Sequence, residues 1–259
     1  MTETSITSHD NPIFRRLKKL AESARARREA QMTLLDGVHL LEAYVDAGGR
    51  PHTLVRAASF DAGRFAHWMA RCPGAKAVVM PDALFQAIAP VVTPTGLVAE
   101  AAWLAPAGRD ATPLVVALED IQDPGNLGAM LRTAAAAGAT LAVLSAGCHD
   151  PWSPKALRGG QGAQFVLPLE QGVVLPTWCA AFEGQCLALA LGEDHSVFSR
   201  DLTGALAILV GNEGAGLSKA VRAAATATVQ IPMPGPIESL NASAALAVVA
   251  FETVRQRIG

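Results

Sequence analysis

Three segments in the C-terminal half of this chain constrain its fold more than any other feature. Each runs from an apolar, strand-like stretch into a loop of turn-forming residues and then into a helix-like stretch; they span Leu118–Gly138, Ile208–Ser218 and Ile231–Glu252. Open parallel sheets bind their ligands at the carboxyl ends of their strands. We therefore expect the three loops to meet at one sheet edge, where their polar residues form a single site: Asn126, Arg132, Glu213, Ser239 and Asn241.

The apolar runs around these segments predict an α/β domain with a mostly parallel sheet. The strand-like runs cover residues 114–120, 141–145, 164–169, 186–191, 205–211 and 228–233, with helix-like segments between them. Strands that lack polar alternation and are separated by helices are typical of a sheet covered on both faces. The last helix, from about Ser243 to Arg257, is apolar nearly all round its first three turns, so we expect the sheet or another subunit to bury it.

The N-terminal part of the chain predicts a second, smaller α/β domain. Residues 11–30 carry seven Arg or Lys residues against two Glu residues, with apolar residues at helical spacing, which is typical of a basic amphipathic helix. A solvated surface helix and a nucleic-acid-binding helix both fit this pattern. Short helices and strands alternate from Met32 to about Ala101, and a Pro- and Gly-rich stretch follows at Ala105–Pro113. We expect domains of residues 1–107 and 108–259.

Composition and charge limit the classes of function. With 51% hydrophobic and 17% charged residues, the chain predicts a large buried core, and its net charge of −2 gives no whole-chain sign of nucleic-acid binding. The four cysteines form no CxxC pair and have no His at ligand spacing, so we expect no metal. The polar N-terminus and the lack of an apolar run of about 18–20 residues predict a cytoplasmic protein without a membrane span.

Local pattern alone leaves the roles of the loop residues open. The loop Gly211–Gly216 lacks the spacing of a dinucleotide-binding fingerprint and of a P-loop, which argues against both. Its backbone groups and single carboxylate suit a small ligand held by main-chain hydrogen bonds. Asn126 fits a helix N-cap, and Arg132 fits either a surface residue or an anion ligand. The Pro-rich stretch before Ser239 and Asn241 fits both an N-cap and the wall of a ligand pocket.

Taken together, the three segments resemble the SpoU/TrmH family of RNA 2′-O-ribose methyltransferases, within the SPOUT superfamily. Asn126–Arg132 resembles the first motif of that family, Gly211–Ser218 the second and Ile231–Ala245 the third, in the same order and spacing. Ser153–Leu169 resembles the family's segment between the first and second motifs. The N-terminal part, with its start NPIFRRLKKL and the phrase LLDGVHLLEAYVDAG, resembles the L30e-like RNA-binding domain that many members carry.

The resemblance implies a C-terminal trefoil knot, S-adenosylmethionine as the cofactor, ribosomal or transfer RNA as the substrate, and an obligate homodimer with the last helix at its interface. No metal is implied. The family's cofactor contacts correspond to Gly211, Ile231, Met233, Leu240 and Asn241. Its catalytic and substrate-side residues correspond to Asn126, Arg132, Glu213, Ser239 and Asn241. We expect RNA phosphates to bind Arg132 and the basic residues near the N-terminus: Arg15, Arg16, Lys18, Lys19, Arg25, Arg27 and Arg28.

These residue types suit methyl transfer to a ribose hydroxyl, an in-line displacement whose rate depends on positioning. A guanidinium almost never loses its proton, so we expect Arg132 to bind a phosphate and polarise the 2′-hydroxyl, and to act as a base only if RNA and burial shift its proton affinity. Asn126 and Ser239 are expected to orient Arg132 or the ribose, while Glu213 and Asn241 brace the loops. The alternatives are a non-catalytic RNA-binding or ribosome-assembly protein and a SPOUT enzyme that methylates a base nitrogen.

Overall fold

The computed structural model describes residues 3–89, 94–108, 111–192 and 195–259, and the chain divides into two compact units. The N-terminal unit comprises Met1–Leu104 and Asp150–Phe165, and the C-terminal unit comprises Ala105–His149 and Val166–Gly259. The chain leaves the N-terminal unit after Leu104, close to the boundary expected between residues 107 and 108, and it returns to this unit once. The returning segment, Asp150–Phe165, was expected in the second domain and belongs to the first unit.

Among the described residues, a five-stranded mixed sheet forms the centre of the N-terminal unit. Its strands are β1 (Thr4–Ser5), β2 (Met32–Asp36), β3 (Thr53–Ala57), β4 (Lys76–Met80) and β5 (Leu97–Ala102), in the spatial order β1-β4-β3-β5-β2. Strand β4 pairs parallel with β1 and β3, whereas β5 pairs antiparallel with β2 and β3. The helices are α1 (Pro12–Glu22), α2 (Ala24–Ala30), α3 (Val38–Asp46), α4 (Ala62–Arg71) and α5 (Asp82–Gln86). This arrangement confirms the expected small α/β domain.

The basic segment near the N-terminus forms two helices instead of the single helix that its pattern predicts. Helix α1 ends at Glu22, and the Ser23 hydroxyl caps α2 by accepting a hydrogen bond from the Ala26 amide at 3.2 Å. Serine is a favoured N-cap because its hydroxyl satisfies an amide without a helical partner. Helix α1 buries three apolar residues: Phe14, Leu17 and Leu20. The amphipathic pattern is therefore confirmed for α1, and the predicted continuity to residue 30 is wrong.

The returning segment packs in the N-terminal unit because it supplies partners for groups that are buried there. The Arg27 guanidinium forms an ion pair with the Asp150 carboxylate at 2.7 Å. The Thr33 hydroxyl donates to the Trp152 carbonyl oxygen at 2.7 Å, and the Trp152 ring stacks on that of Trp103 with 5.0 Å between ring centroids. These partners lie far apart in sequence, so a local pattern does not predict the pairing.

Within the described residues, the sheet of the C-terminal unit has six strands, and every neighbouring pair is parallel. The strands are β6 (Leu114–Leu118), β7 (Leu141–Ser145), β8 (Leu169–Val173), β9 (Gln185–Leu189), β10 (Leu206–Val210) and β11 (Ala227–Val229), in the order β11-β9-β10-β6-β7-β8. The remaining helices are α6 (Pro124–Ala136), α7 (Pro154–Gly160, in the returning segment), α8 (Leu175–Ala181), α9 (Lys219–Ala224) and α10 (Ala242–Ile258). The expected parallel α/β domain is confirmed; the trefoil knot stays a prediction.

The strand predicted at residues 164–169 is wrong. Ala163–Phe165 forms a 3-10 helix in the N-terminal unit, where the buried side-chain amide of Gln164 donates to two carbonyl oxygens. The strand begins instead at Leu169, and its three central residues are exposed. Strand β8 lies at the edge of the sheet, where a strand is not covered on both faces and needs no continuous apolar run.

Helix α10 packs one face against α6 and β10 of its own unit. Four residues of that face are buried: Leu246, Val249, Ala250 and Thr253. Elsewhere on the helix, Phe251 remains 48% exposed. The helix is therefore only partly covered within one chain. None of the helices in the described part of the chain, this one included, is long and apolar enough to cross a membrane.

Candidate active site

A cavity of about 600 Å³ lies at the carboxyl ends of β9, β10 and β11. The loop after β10, the residues that follow β9 and β11, and the start of α10 line it. Parallel α/β folds hold ligands at this edge of the sheet, and the volume is in the range of small-molecule sites. All five residues expected to contact the cofactor line the cavity: Gly211, Ile231, Met233, Leu240 and Asn241. Their contact with a cofactor stays a prediction.

The loop after β10, Gly211–Leu217, approaches itself so closely that position 211 requires glycine. A Cβ atom on Gly211 would lie 2.2 Å from the carbonyl carbon of Gly216 and 2.3 Å from the backbone nitrogen of Leu217. The Gly216 amide closes the loop by donating to the Asn212 carbonyl oxygen at 2.9 Å. Glycine lets a backbone come close to a ligand, so this cradle fits a cofactor that is held largely by main-chain groups.

Three of the five expected catalytic residues form a hydrogen-bonded cluster beside the cavity. Asn126 Nδ2 donates to Glu213 Oε1 at 2.9 Å, and Asn241 Nδ2 donates to Asn126 Oδ1 over a long 3.5 Å. Glu213 and Asn241 also line the cavity. The cluster joins the start of α6, the loop after β10 and the start of α10, so the three segments meet as the sequence predicts.

Asn126 is not the N-cap of α6, which corrects one interpretation of the sequence. That position belongs to Asp123, whose Oδ1 accepts a hydrogen bond from the Asn126 amide at 2.8 Å. Because Asp123 provides the cap, the Asn126 side chain is left to bond Glu213. Asn241 does cap a helix: its Oδ1 accepts hydrogen bonds from the Ser243 amide at 2.9 Å and the Ser243 hydroxyl at 2.5 Å at the start of α10.

The other two expected catalytic residues lie outside this cluster. Ser239 is exposed and lines the cavity. Arg132 follows Asn126 by six residues on α6, which places it about 9 Å further along the axis and on a different face. Arg132 is exposed and makes no hydrogen bond or ion pair within the described part of the chain. One chain alone therefore does not bring Arg132 to the cluster.

An acidic pair after β6 anchors the loops, although the sequence pattern placed it inside the strand. Glu119 Oε2 accepts a hydrogen bond from the Ser218 amide at 2.7 Å, and the Asp120 carbonyl oxygen accepts one from Asn212 Nδ2 at 2.9 Å. Asp120 has a φ of 55°, a left-handed conformation that Asp adopts more readily than most residues. Two charged residues at the end of an apolar run were the signal that β6 ends at Leu118.

Most cations of the basic N-terminal segment already have carboxylate partners in their own unit. The pairs are Arg15–Asp10, Arg16–Glu100, Lys18–Glu22, Arg25–Glu29 and Arg27–Asp150. Exposed pairs such as Arg15–Asp10 and Arg25–Glu29 are weak and can exchange for a phosphate, whereas Arg16 pairs with the buried carboxylate of Glu100. Arg27 differs because its side chain is only 5% exposed and also donates to two carbonyl oxygens at the end of α1. This burial favours a structural role for Arg27, and its contact with RNA stays a prediction.

Lys19 and Arg28 are the strongest remaining candidates for phosphate contacts in this segment. Both are exposed, and neither forms an ion pair among the described residues. A cation without a carboxylate partner can bind a phosphate without first breaking an ion pair. We therefore expect these two side chains to contribute most to RNA binding by α1 and α2.

Cysteine chemistry does not suit this site. Cys148 Sγ donates to the Leu118 carbonyl oxygen at 3.2 Å at the end of β6, and burial raises the pKa of its thiol. A reactive cysteine needs a lowered pKa, so Cys148 is a structural thiol. The described residues contain no group of three or more His, Cys, Asp or Glu side chains placed to hold a metal ion.

Known families match both parts of this chain. Residues 113–251 match the SpoU rRNA Methylase family, and residues 11–99 match the MRM3-like substrate binding domain. An uncharacterized tRNA/rRNA methyltransferase of Synechocystis sp. is 33% identical over 270 residues, covering 98% of this chain and 94% of that protein. The 23S rRNA (guanosine-2′-O-)-methyltransferase RlmB of Xanthomonas campestris pv. campestris is 39% identical over 149 residues, covering 56% of this chain and 60% of that protein.

Two solved structures match nearly the whole length of the chain. The SpoU methyltransferase AviRb from Streptomyces viridochromogenes, in complex with the cofactor AdoMet, has a TM-score of 0.85 at 28% identity, covering 96% of this chain and 99% of that one. An AdoMet-bound rRNA methyltransferase from Sinorhizobium meliloti has a TM-score of 0.83 at 27% identity, covering 97% of each chain. The fold and the cavity thus define a methyltransferase of the SPOUT class. The chain belongs to the SpoU rRNA methylase family.

Proposed function

We propose that this chain transfers a methyl group from S-adenosylmethionine to the 2′-hydroxyl of a ribose in ribosomal RNA. As a SpoU family member, it is an S-adenosylmethionine-dependent RNA 2′-O-ribose methyltransferase. The observation that carries the proposal is the meeting of the second and third motif loops at one cavity, to which the Asn126 cluster joins the first motif. The MRM3-like substrate binding domain and the full-length likeness to an rRNA methyltransferase favour ribosomal RNA. Such a substrate would place the protein in the cytoplasm.

The residues of the cavity bind and orient the reactants. When bound, the cofactor supplies an activated methyl group on a sulfonium sulfur. The loop after β10 holds it through main-chain groups around Gly211. Glu213 and Asn241 each bond one end of the Asn126 amide, so that amide is a restrained polar group for the ribose. Ser239 provides a second polar group on the cavity wall. Methyl transfer gains most of its rate from such positioning.

A second copy of the chain completes the site in this proposal. Arg132 is exposed and separate from the Asn126 cluster, so a partner must bring this guanidinium and a reacting centre together. There the Arg132 guanidinium binds the substrate phosphate and polarises the 2′-hydroxyl. Helix α10 leaves Phe251 48% and Ile258 80% exposed, which is apolar surface that a partner's α10 would cover.

Methyl transfer to purified RNA tests the proposal. The protein is incubated with radiolabelled S-adenosylmethionine and with ribosomal or transfer RNA from a strain that lacks it. Nuclease digestion and chromatography against standards then identify the labelled nucleotide. A labelled 2′-O-methyl nucleotide in ribosomal RNA supports the proposal. Label in transfer RNA would contradict the substrate class, label on a base nitrogen would contradict the reaction, and cofactor binding without label in RNA or ribosomal subunits would favour the non-catalytic alternative.

A further inference from the structure

The lining of the cofactor cavity contains one cation and one carboxylate within the described part of the chain, Arg222 and Glu213. The Glu213 carboxylate accepts a hydrogen bond from Asn126. Arg222 lies on α9, the short helix that follows the loop after β10, and it is exposed. Helical side chains tilt towards the N-terminus of their helix, which directs Arg222 back towards the loop after β10 and the cavity.

We propose that Arg222 binds the carboxylate of the methionine part of S-adenosylmethionine. This inference rests on the proposed function, because it assumes this cofactor. The carboxylate is the only negative group of the cofactor, and a guanidinium presents its N–H donors in a planar fork that matches a carboxylate. The adenosine part carries no charge and suits the apolar residues of the lining: Leu189, Leu191, Val229 and Ile231.

The loop after β10 suits this carboxylate less well, because three of its amides already have acceptors and its one charged side chain is negative. The amides of Gly214 and Ala215 donate to Asn212 Oδ1, and the Gly216 amide donates to the Asn212 carbonyl oxygen. Just beyond the loop, the backbone amide of Ser218 donates to the Glu119 carboxylate. Four amides of the loop and its end are therefore engaged within the protein. The loop also carries the negative charge of Glu213, which repels a carboxylate.

A pair of ligands that differ by one group tests this assignment. Dissociation constants are measured by calorimetry for S-adenosylmethionine and for its decarboxylated form, which keeps the adenosine, the sulfonium and the amine. The variants are Arg222→Gln, Arg222→Lys and, as a matched control, Lys219→Gln, which removes the same charge from the same helix. Lys219 is exposed and does not line the cavity.

We expect Arg222→Gln to weaken binding of S-adenosylmethionine by about tenfold, the order of one lost charge-assisted hydrogen bond, and to leave binding of the decarboxylated form unchanged. Arg222→Lys keeps the charge without the fork and should show a smaller loss for the same ligand only. Lys219→Gln should change neither constant.

Equal losses for both ligands, or no loss for either, would overturn the assignment of Arg222. Circular dichroism verifies the fold of each variant, and Arg222→Lys decides the question if Arg222→Gln does not fold. A parent protein that binds no S-adenosylmethionine would instead contradict the proposed function, so the two failures are distinguishable.

Discussion

Replacing Arg27 with Gln should lower the free energy of unfolding of the N-terminal unit by about 3–5 kcal/mol, whereas replacing the neighbouring Arg28 with Gln should change it by less than about 0.5 kcal/mol. The two residues belong to one run of positive charge, and nothing in their local pattern separates them. Their surroundings differ, because the Arg27 side chain is only 5% exposed and forms an ion pair with the 8% exposed side chain of Asp150. Arg28 is exposed.

The magnitude follows from what the substitution leaves behind. Without Arg27, the Asp150 carboxylate is a buried charge without its partner, and removal of one member of a buried pair typically costs about 3–5 kcal/mol. The guanidinium also donates to the carbonyl oxygens of Leu20 at 2.7 Å and Ala21 at 3.2 Å, so the end of α1 loses a cap. These contributions overlap and are not summed. Total stabilities of about 5–15 kcal/mol make such a loss easy to detect.

Urea-induced unfolding followed by tryptophan fluorescence measures the effect, since Trp103 and Trp152 stack on each other in the same unit. Replacing both partners, with Arg27→Met and Asp150→Leu in one chain, should recover most of the stability because neither charge then remains buried. RNA binding at several salt concentrations provides the second readout. An Arg27→Gln protein with the parent's unfolding free energy and a flatter salt dependence would refute the structural role and support Arg27 as an RNA contact.

Four further outcomes are expected. Arg132→Ala should abolish methyl transfer and leave the dissociation constant of S-adenosylmethionine within a few-fold, because Arg132 lies outside the cavity lining; single-turnover kinetics at the parent's rate would contradict its role. Gly211→Ala should strain the loop after β10 by about 1–3 kcal/mol, since its Cβ meets backbone atoms, and calorimetry should show weaker cofactor binding; an unchanged affinity would mean that the loop adapts. Val248→Asp on α10 should unfold the protein or make it monomeric, and a stable, active monomer in light scattering would reject the homodimer. Replacing Lys19 and Arg28 together with Gln should reduce the slope of log binding constant against log salt by about 1.4–1.8 and leave cofactor binding unchanged; an unchanged slope would assign both to solvated surface.

Features that depend on neighbouring residues were predictable from the sequence. The apolar runs of β6, β7 and β10 lack polar alternation, which indicated a parallel sheet, and the helix α1 followed from its apolar spacing. The N-cap residue of α6 could also have been predicted from the sequence. Pro124 occupies the first turn of the helix, a position that proline favours, and this identifies the preceding Asp123 as the cap instead of Asn126.

Features that depend on distant residues were not predictable from local pattern. Arg27 looked like one cation among seven because its partner, Asp150, lies 123 residues away in the chain. The hydrogen bond from Asn126 to Glu213 likewise requires β10 to lie beside β6, a strand order that hydrophobic periodicity does not specify. The resemblance to a family predicted that Asn126 and Glu213 belong to one site. Their hydrogen bond and the separate position of Arg132 became known only from the structure.

The returning segment has a consequence for how the protein is made. During translation, Arg27, Thr33 and Trp103 emerge from the ribosome well before the residues that pair with them, Asp150 and Trp152. A nascent chain that ends at residue 104 therefore contains a cation, a hydroxyl and an indole face whose partners have not been synthesised. The N-terminal unit reaches its final packing only when residue 165 has left the exit tunnel, after translation of the C-terminal unit has begun. Its maturation is thus tied to the synthesis of the methyltransferase half, and a single proteolytic cut cannot release it intact.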